Sequence, residues 1–148
     1  MMERKEIIEQ LKKYFNISEL VCPHILDKYG DTSWMFLSTE ILHTLLVLRT
    51  EIINKPLIIN TSSAKQRGKR CNICDIVKQK TTVYESAHCN GKGFDITVVG
   101  MSAEEARNEI KNNAGKLPYP VRLEEDVTWL HIDCYDPCNN KVINTFKA

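Results

Sequence analysis

Apolar residues recur at spacings of three and four over residues 4–15, where Ile7, Ile8, Leu11, Tyr14 and Phe15 line one side of a short amphipathic helix. A second run is far more apolar. Behind Ser38, a side chain suited to capping, Ile41, Leu42, Leu45, Leu46, Leu48, Ile52 and Ile53 leave little polar face. Such a helix is the central one of a fold, and Asn54 to Pro56 stops it. Between the two helices, the region around Pro23 and the triplet Tyr29-Gly30-Asp31 read as turns. Leu57-Ile58-Ile59 reads as a short strand that empties into the polar loop or insertion TSSAKQRGKRCNICD. Thr81 to Tyr84 is weakly strand-like and Phe94 to Val99 more strongly so. Ser102 followed by Glu105 has the spacing of a capping box, opening a helix that runs through Ile110. From Val127 to Asp133 the chain alternates, with Trp129, His131 and Asp133 on one face and Thr128, Leu130 and Ile132 on the other. Helices interspersed with non-consecutive strands predict an α+β domain whose small, mainly antiparallel sheet is flanked by helices.

A length of 148 residues holds one core, so a single domain over 1–148 is expected. With 43% hydrophobic and 26% charged residues, disorder throughout is excluded. The formal charge is +1, and the basic stretch Lys65, Arg67, Lys69, Arg70 is too short to argue for a nucleic-acid partner. No window reaches 18 consecutive apolar residues, so no membrane span is expected. The opening MMERKEIIEQLKKYF lacks the apolar stretch of a secretory signal, so the expectation is cytoplasmic synthesis. In that setting the six cysteines read as thiols or metal ligands rather than as a disulfide framework.

His88 and Asp95 are separated by a segment containing Gly91 and Gly93. The glycines relax the backbone, so that a ligand on a loop and one on the adjoining strand can converge. His131, on the alternating segment with Trp129 and Asp133, is the natural third member. Two imidazoles and a carboxylate with an open position are a common catalytic zinc set. Asp133 is placed either to accept a hydrogen bond from an imidazole N–H or to cap the end of its strand. Trp129 either lines a cleft or is half-buried core.

These residues also carry a likeness. SAHCNGKGFDI followed by TWLHID resembles the Ser-x-His-x6-Asp and Trp-x-His signatures of the zinc D-alanyl-D-alanine carboxypeptidases, the M15 peptidases, whose fold is related to the hedgehog type. The likeness is greatest to the compact carboxypeptidase-like domains of bacteriophage and prophage proteins. FNISELVC, the helix ending LVLRTEI, the KPLIINT strand and VRLEEDVTWLHID fall in the family's order, so it spans about residues 14–135. The resemblance implies a hedgehog/DD-peptidase-like domain with His88, Asp95 and His131 as ligands of a zinc ion (Zn2+), and Ser86 holding the loop. It further implies a hydrolase that cleaves an amide bond in a peptidoglycan stem peptide near D-alanine. Such a metallopeptidase suits a phage endolysin, acting on the cell wall after lysis or translocation, or a virion-borne module. The rival expectation is a catalytically inactive zinc-containing binding or structural protein, for example of a phage tail.

The departures from the family bear on substrate and base. Ser62-Ser63-Ala64-Lys65 stands where members carry Ser-Gly-Tyr-Arg, so Lys65 takes the place of a substrate-binding arginine without its bidentate fork. Arg67 and Arg70 lie near enough in sequence to substitute. Phe94 replaces a small alanine beside the aspartate. A hydrolase of this kind also needs a carboxylate to move the proton of the attacking water. Of Glu124, Glu125 and Asp126, strand parity with His131 favours Glu125, with Asp126 as the alternative. The position three before the histidine, acidic in some relatives, is Thr128, and Trp129 stands where some carry a second histidine. Finally, Cys71-x2-Cys74 and Cys134-x3-Cys138 can supply a second, structural metal site or remain free thiols. Cys22-Pro23-His24, His43 and Cys89 stay outside these sets.

Overall fold

A computed structural model describes residues 1–148. The first apolar stripe forms α1 (Arg4–Leu11), which buries Ile7 and Leu11 against α3 (Thr39–Val47). Ser38 caps α3 as expected, its Oγ accepting the N–H of Ile41 at 3.2 Å. The helix continues through a π-helical turn, Leu48–Ile52. Asn54, at φ 52°, then takes the chain out of the helical path ahead of Pro56.

Five strands follow: β1 (Leu57–Ile58), β2 (Gly93–Val98), β3 (Val121–Glu124), β4 (Leu130–Asp133) and β5 (Ile143–Phe146). They form one sheet in the order β1-β2-β4-β3-β5, antiparallel at three junctions and parallel between β3 and β5. The molecule is therefore α+β with a mixed sheet. One face of the sheet is apolar. Phe94, Ile96 and Val98 of β2, Leu130 and Ile132 of β4, and Val121 and Leu123 of β3 join Ile41, Leu42 and Leu45 of α3 in one continuous core. The helix α5 (Ala103–Asn112), capped by Ser102 through the N–H of Glu105 (3.1 Å), packs near β2 and β4 and adds Ala106 and Ile110 to that core.

Several elements differ from the sequence reading. The Pro23 region is a helix, α2 (Pro23–Tyr29), because proline is well suited to a first helical turn. The polar segment holds a single helical turn, α4 (Asp75–Lys78). Residues 81–84 form no strand. The alternating segment at Val127–Asp133 pairs only from Leu130 onward, since a turn with Asp126 at φ 60° precedes it. No helix is long and apolar enough to cross a membrane.

The glycine between His88 and Asp95 meets a specific demand. Gly91 has φ 66°, and a Cβ there would stand 1.9 Å from the Phe36 carbonyl oxygen. Its own carbonyl accepts the Ser38 N–H at 2.9 Å, tying the turn to the start of α3.

Phe94 is fully buried on the face of β2 opposite Asp95. Phe94→Ala should cost about 3–5 kcal/mol in urea denaturation of the full chain. A loss under about 1.5 kcal/mol, the range of a volume-conserving swap, would show that Phe94 is not part of the core.

Candidate metal centres

The strand registers assemble the polar face of the sheet. Asp95 of β2 lies opposite His131 of β4, and Gly93 opposite Asp133. On the other side of β4, Arg122 of β3 pairs with Asp133, so the next rung brings Glu124 across from His131. Phe146 of β5 continues that rung beside Glu124. Because side chains alternate with period two, Asp95, His131, Asp133, Arg122 and Glu124 share the face turned away from the core.

His88 reaches this face from the glycine-containing turn. Its backbone N–H donates to Ser86 Oγ at 3.2 Å. Its Nδ1 lies 2.9 Å from the Gly68 carbonyl oxygen, which can only accept, so the proton sits on Nδ1 and Nε2 is left facing Asp95 Oδ2 at 3.2 Å. His131 is held the other way round, with Nε2 2.7 Å from Asp133 Oδ2 and Nδ1 2.8 Å from Asp95 Oδ1. Asp133 is wholly buried. It accepts two hydrogen bonds from the Arg122 guanidinium, each at 2.9 Å, and the Tyr135 N–H at 3.1 Å.

This is the outer arrangement of a metal-binding histidine pair: each ring gives one N–H to a fixed oxygen and aims its other nitrogen at a common point. The facing atoms of His88, Asp95 and His131 lie within 4.8 Å of one another. Without a metal, the carboxylates do the balancing. Burial works against the charge on Asp95, yet the hydrogen bond from His131 and the proximity of the His88 ring outweigh it and hold its carboxyl below the usual range. Burial likewise opposes protonation of His131, but hydrogen bonds to Asp133 and Asp95 raise its pKa to about 9. A divalent cation among the three can neutralise Asp95 in place of that proton, so the donor set fits such an ion.

The three residues sit in an open cleft of about 290 Å³ whose walls include Arg70, Arg122, Ser86, Glu124 and Trp129. Trp129 is 38% exposed, in keeping with the cleft-lining alternative. Lys65 does not line the cleft; it borders a separate groove with Glu19 and Asn60. The Arg67 side chain also turns elsewhere, donating to the Ile59 carbonyl (3.1 Å) and Thr97 Oγ1 (3.0 Å). Of the basic residues in this stretch, Arg70 does reach the cleft, mostly buried, with Nη2 3.6 Å from Asp95 Oδ2 and Nη1 3.1 Å from the Tyr84 hydroxyl.

The parity argument for Glu125 fails on this geometry. Glu125 and His131 are on different sides of a turn, so an even separation in sequence does not put them on one face. Glu125 points to the helix side, 2.8 Å from Lys111 Nζ and 3.6 Å from Arg107 Nε. Asp126 is exposed and pairs with Lys147 at 3.0 Å. The carboxylate that borders the cleft is Glu124.

The cysteine quartet is also corrected. Cys134 is buried, 3.5 Å from Thr44 Oγ1, and Cys138 is exposed. Neither joins Cys71 and Cys74. Those two instead meet Cys22 and His24, and the four donor atoms lie within 4.8 Å of one another. Cys71 Sγ is 3.4 Å and Cys74 Sγ 3.7 Å from His24 Nδ1, and the two sulfurs are 3.7 Å apart. This cluster can bind a metal ion. Its signal in the sequence was the pairing of two short chelating loops, Cys-x-His and Cys-x2-Cys, in place of two cysteine pairs.

If Asp133 fixes the His131 ring, Asp133→Ala should weaken metal binding at the His88–Asp95–His131 centre by about 10–100-fold. Titration with cobalt(II), followed by its visible absorption, reads this centre apart from a thiolate site. Unchanged affinity would remove Asp133 from that role. Comparison with known proteins finds no matching protein-family profile, no matching curated protein and no matching solved structure.

Proposed function

We propose that the chain is a zinc-dependent hydrolase of the M15 peptidase type, cleaving an amide bond in peptidoglycan stem peptides near D-alanine. The observation that carries this reading is the convergence of His88 Nε2, His131 Nδ1 and the Asp95 carboxylate in a cleft that also holds a carboxylate and two arginines. The order of sequence motifs supports it independently. Zinc, when bound by these three residues, supplies a Lewis acid that polarises a carbonyl and acidifies water.

The chain's own residues supply the rest. Glu124, across from His131, is the group to take the proton of the attacking water and deliver it to the leaving amine. Arg70 is the group to meet a substrate carboxylate, in the role the motif order gave to Lys65. Its planar guanidinium can grip both oxygens, which a lysine cannot. Trp129 offers an apolar wall for the peptide. A phage lysis protein or a virion-borne wall-degrading module fits this activity.

A second reading, a zinc-loaded but inactive binding protein, draws on one observation. The Arg70 guanidinium is already engaged by Gln66, Tyr84 and Asp95, which leaves it less free to hold substrate.

The test is hydrolysis of purified peptidoglycan fragments by the zinc-loaded chain, read by mass spectrometry. Glu124→Gln should lower the rate by about 10²–10⁴-fold, while Glu125→Gln should stay within a few-fold of wild type. The reverse pattern would return the proton-transfer role to Glu125. If the folded, zinc-containing protein cleaves nothing in a broad fragment panel, the binding reading replaces the enzyme.

A further inference from the structure

The second cluster has no part in the proposed reaction. We propose that Cys22, His24, Cys71 and Cys74 form a closed structural zinc site that fixes the strip 67–70 on which the His88–Asp95–His131 centre is built.

The separations among three of the four donors match the edges of a zinc tetrahedron, and Cys22 Sγ lies within 4.8 Å of each of them. Zinc bonds of about 2.3 Å to sulfur and about 2.0–2.1 Å to imidazole nitrogen give tetrahedral edges of about 3.8 Å between sulfurs and about 3.6 Å from sulfur to nitrogen. The corresponding separations are 3.7 Å between Cys71 and Cys74, and 3.4 and 3.7 Å from these sulfurs to His24 Nδ1. Three thiols and an imidazole, with no carboxylate among them, select a soft or borderline metal. The Cys3His set is a common structural zinc environment, and four protein ligands leave no open position. The Cys71 N–H also points at Cys74 Sγ, 3.4 Å away.

The backbone brings the two chelating loops together before any metal is considered. The Cys22 N–H donates to the Lys69 carbonyl and the Lys69 N–H to the Leu20 carbonyl, both at 2.9 Å, in a parallel bridge between Val21 and Lys69. Gly68 permits this approach, since a Cβ there would stand 2.2 Å from the Leu20 carbonyl oxygen. Each chelating pair sits at a helix start: Cys22 precedes α2, whose first turn holds His24, and Cys71-x2-Cys74 leads into α4.

The polar segment needs such an anchor. Between residues 60 and 85 only Gly68, Arg70 and Cys74 are buried, so hydrophobic burial does little to hold it. Yet this segment serves the first centre at four points. The Gly68 carbonyl faces His88 Nδ1 at 2.9 Å. The Arg67 carbonyl accepts the Asp95 N–H at 2.8 Å, and the Arg70 N–H donates to the His88 carbonyl at 3.0 Å. The Arg70 guanidinium flanks Asp95. Cys71 follows Arg70 directly, so a metal at the cysteine cluster clamps one end of the strip that positions His88 and Asp95. This inference does not depend on hydrolase activity.

The experiment counts zinc per full-length chain by elemental analysis and identifies its neighbours by X-ray absorption at the zinc edge. Wild type should carry two zinc ions, and His88→Ala should keep one, with a first shell of three sulfurs and one nitrogen. A first shell without sulfur, iron in place of zinc, or a His88→Ala chain without metal would overturn the site. Because that readout leaves all four cluster ligands in place, it stands even if a cysteine variant does not fold. For the coupling, Cys74→Ser should weaken zinc binding at the first centre by about tenfold or more, while Cys138→Ser changes neither count nor affinity. Undiminished affinity in a folded Cys74→Ser chain would refute the clamp.

Discussion

The register between β2 and β4 is the constraint from which the rest of the site follows. Pairing Asp95 with His131 and Gly93 with Asp133 puts a carboxylate and an imidazole on adjacent strands of one face, while Phe94 and Ile132 enter the core on the other. A slip of β2 by one residue would exchange its faces, burying Asp95 in the apolar core and exposing Phe94. The hydrophobic core therefore orients the polar site: burial of Phe94, Ile96, Leu130 and Ile132 turns Asp95 and His131 to the same opposite face, where the observed register pairs them.

Within that register, charge is organised outward from Asp95. His131 bridges Asp95 and Asp133, and Arg122 closes the chain with two hydrogen bonds to Asp133. With Asp133 buried, such a pair contributes little net stability, because desolvation offsets most of its attraction. Its consequence here is orientation. Asp133 decides which nitrogen of His131 faces the cleft, as the Gly68 carbonyl does for His88. Two acceptors in different parts of the chain thus aim two rings at one point.

The Gly68 carbonyl belongs to a segment with few apolar anchors, and this links the two clusters. The strip 67–70 pairs with residues 20–22 on one side and with His88 and Asp95 on the other. It lies between a set of sulfur donors and a set of nitrogen and oxygen donors. Order in one is transmitted to the other through a few backbone hydrogen bonds.

The sequence by itself determined α1, α3 and α5, a strand around Phe94–Val99, the later part of the Val127–Asp133 strand, and the grouping of His88, Asp95 and His131. These rest on local periodicity and on a motif whose members lie on or beside paired strands. It also marked Asp133 as an acceptor for an imidazole, one of the two roles its position allowed. Tertiary structure alone decided which acid, which cation and which cysteines lie at each site. Glu124 replaced Glu125 because the turn at Asp126 breaks the parity that an uninterrupted strand would keep. Arg70 replaced Lys65 because the polar segment doubles back beneath His88, a path set by close packing at Gly68 that no periodicity records. Cys22 and His24 replaced Cys134 and Cys138 because contacts between residues 47 to 50 positions apart depend on how two loops are held against each other. Local pattern encodes which face a side chain occupies on its own element, and only the packed chain decides which faces meet.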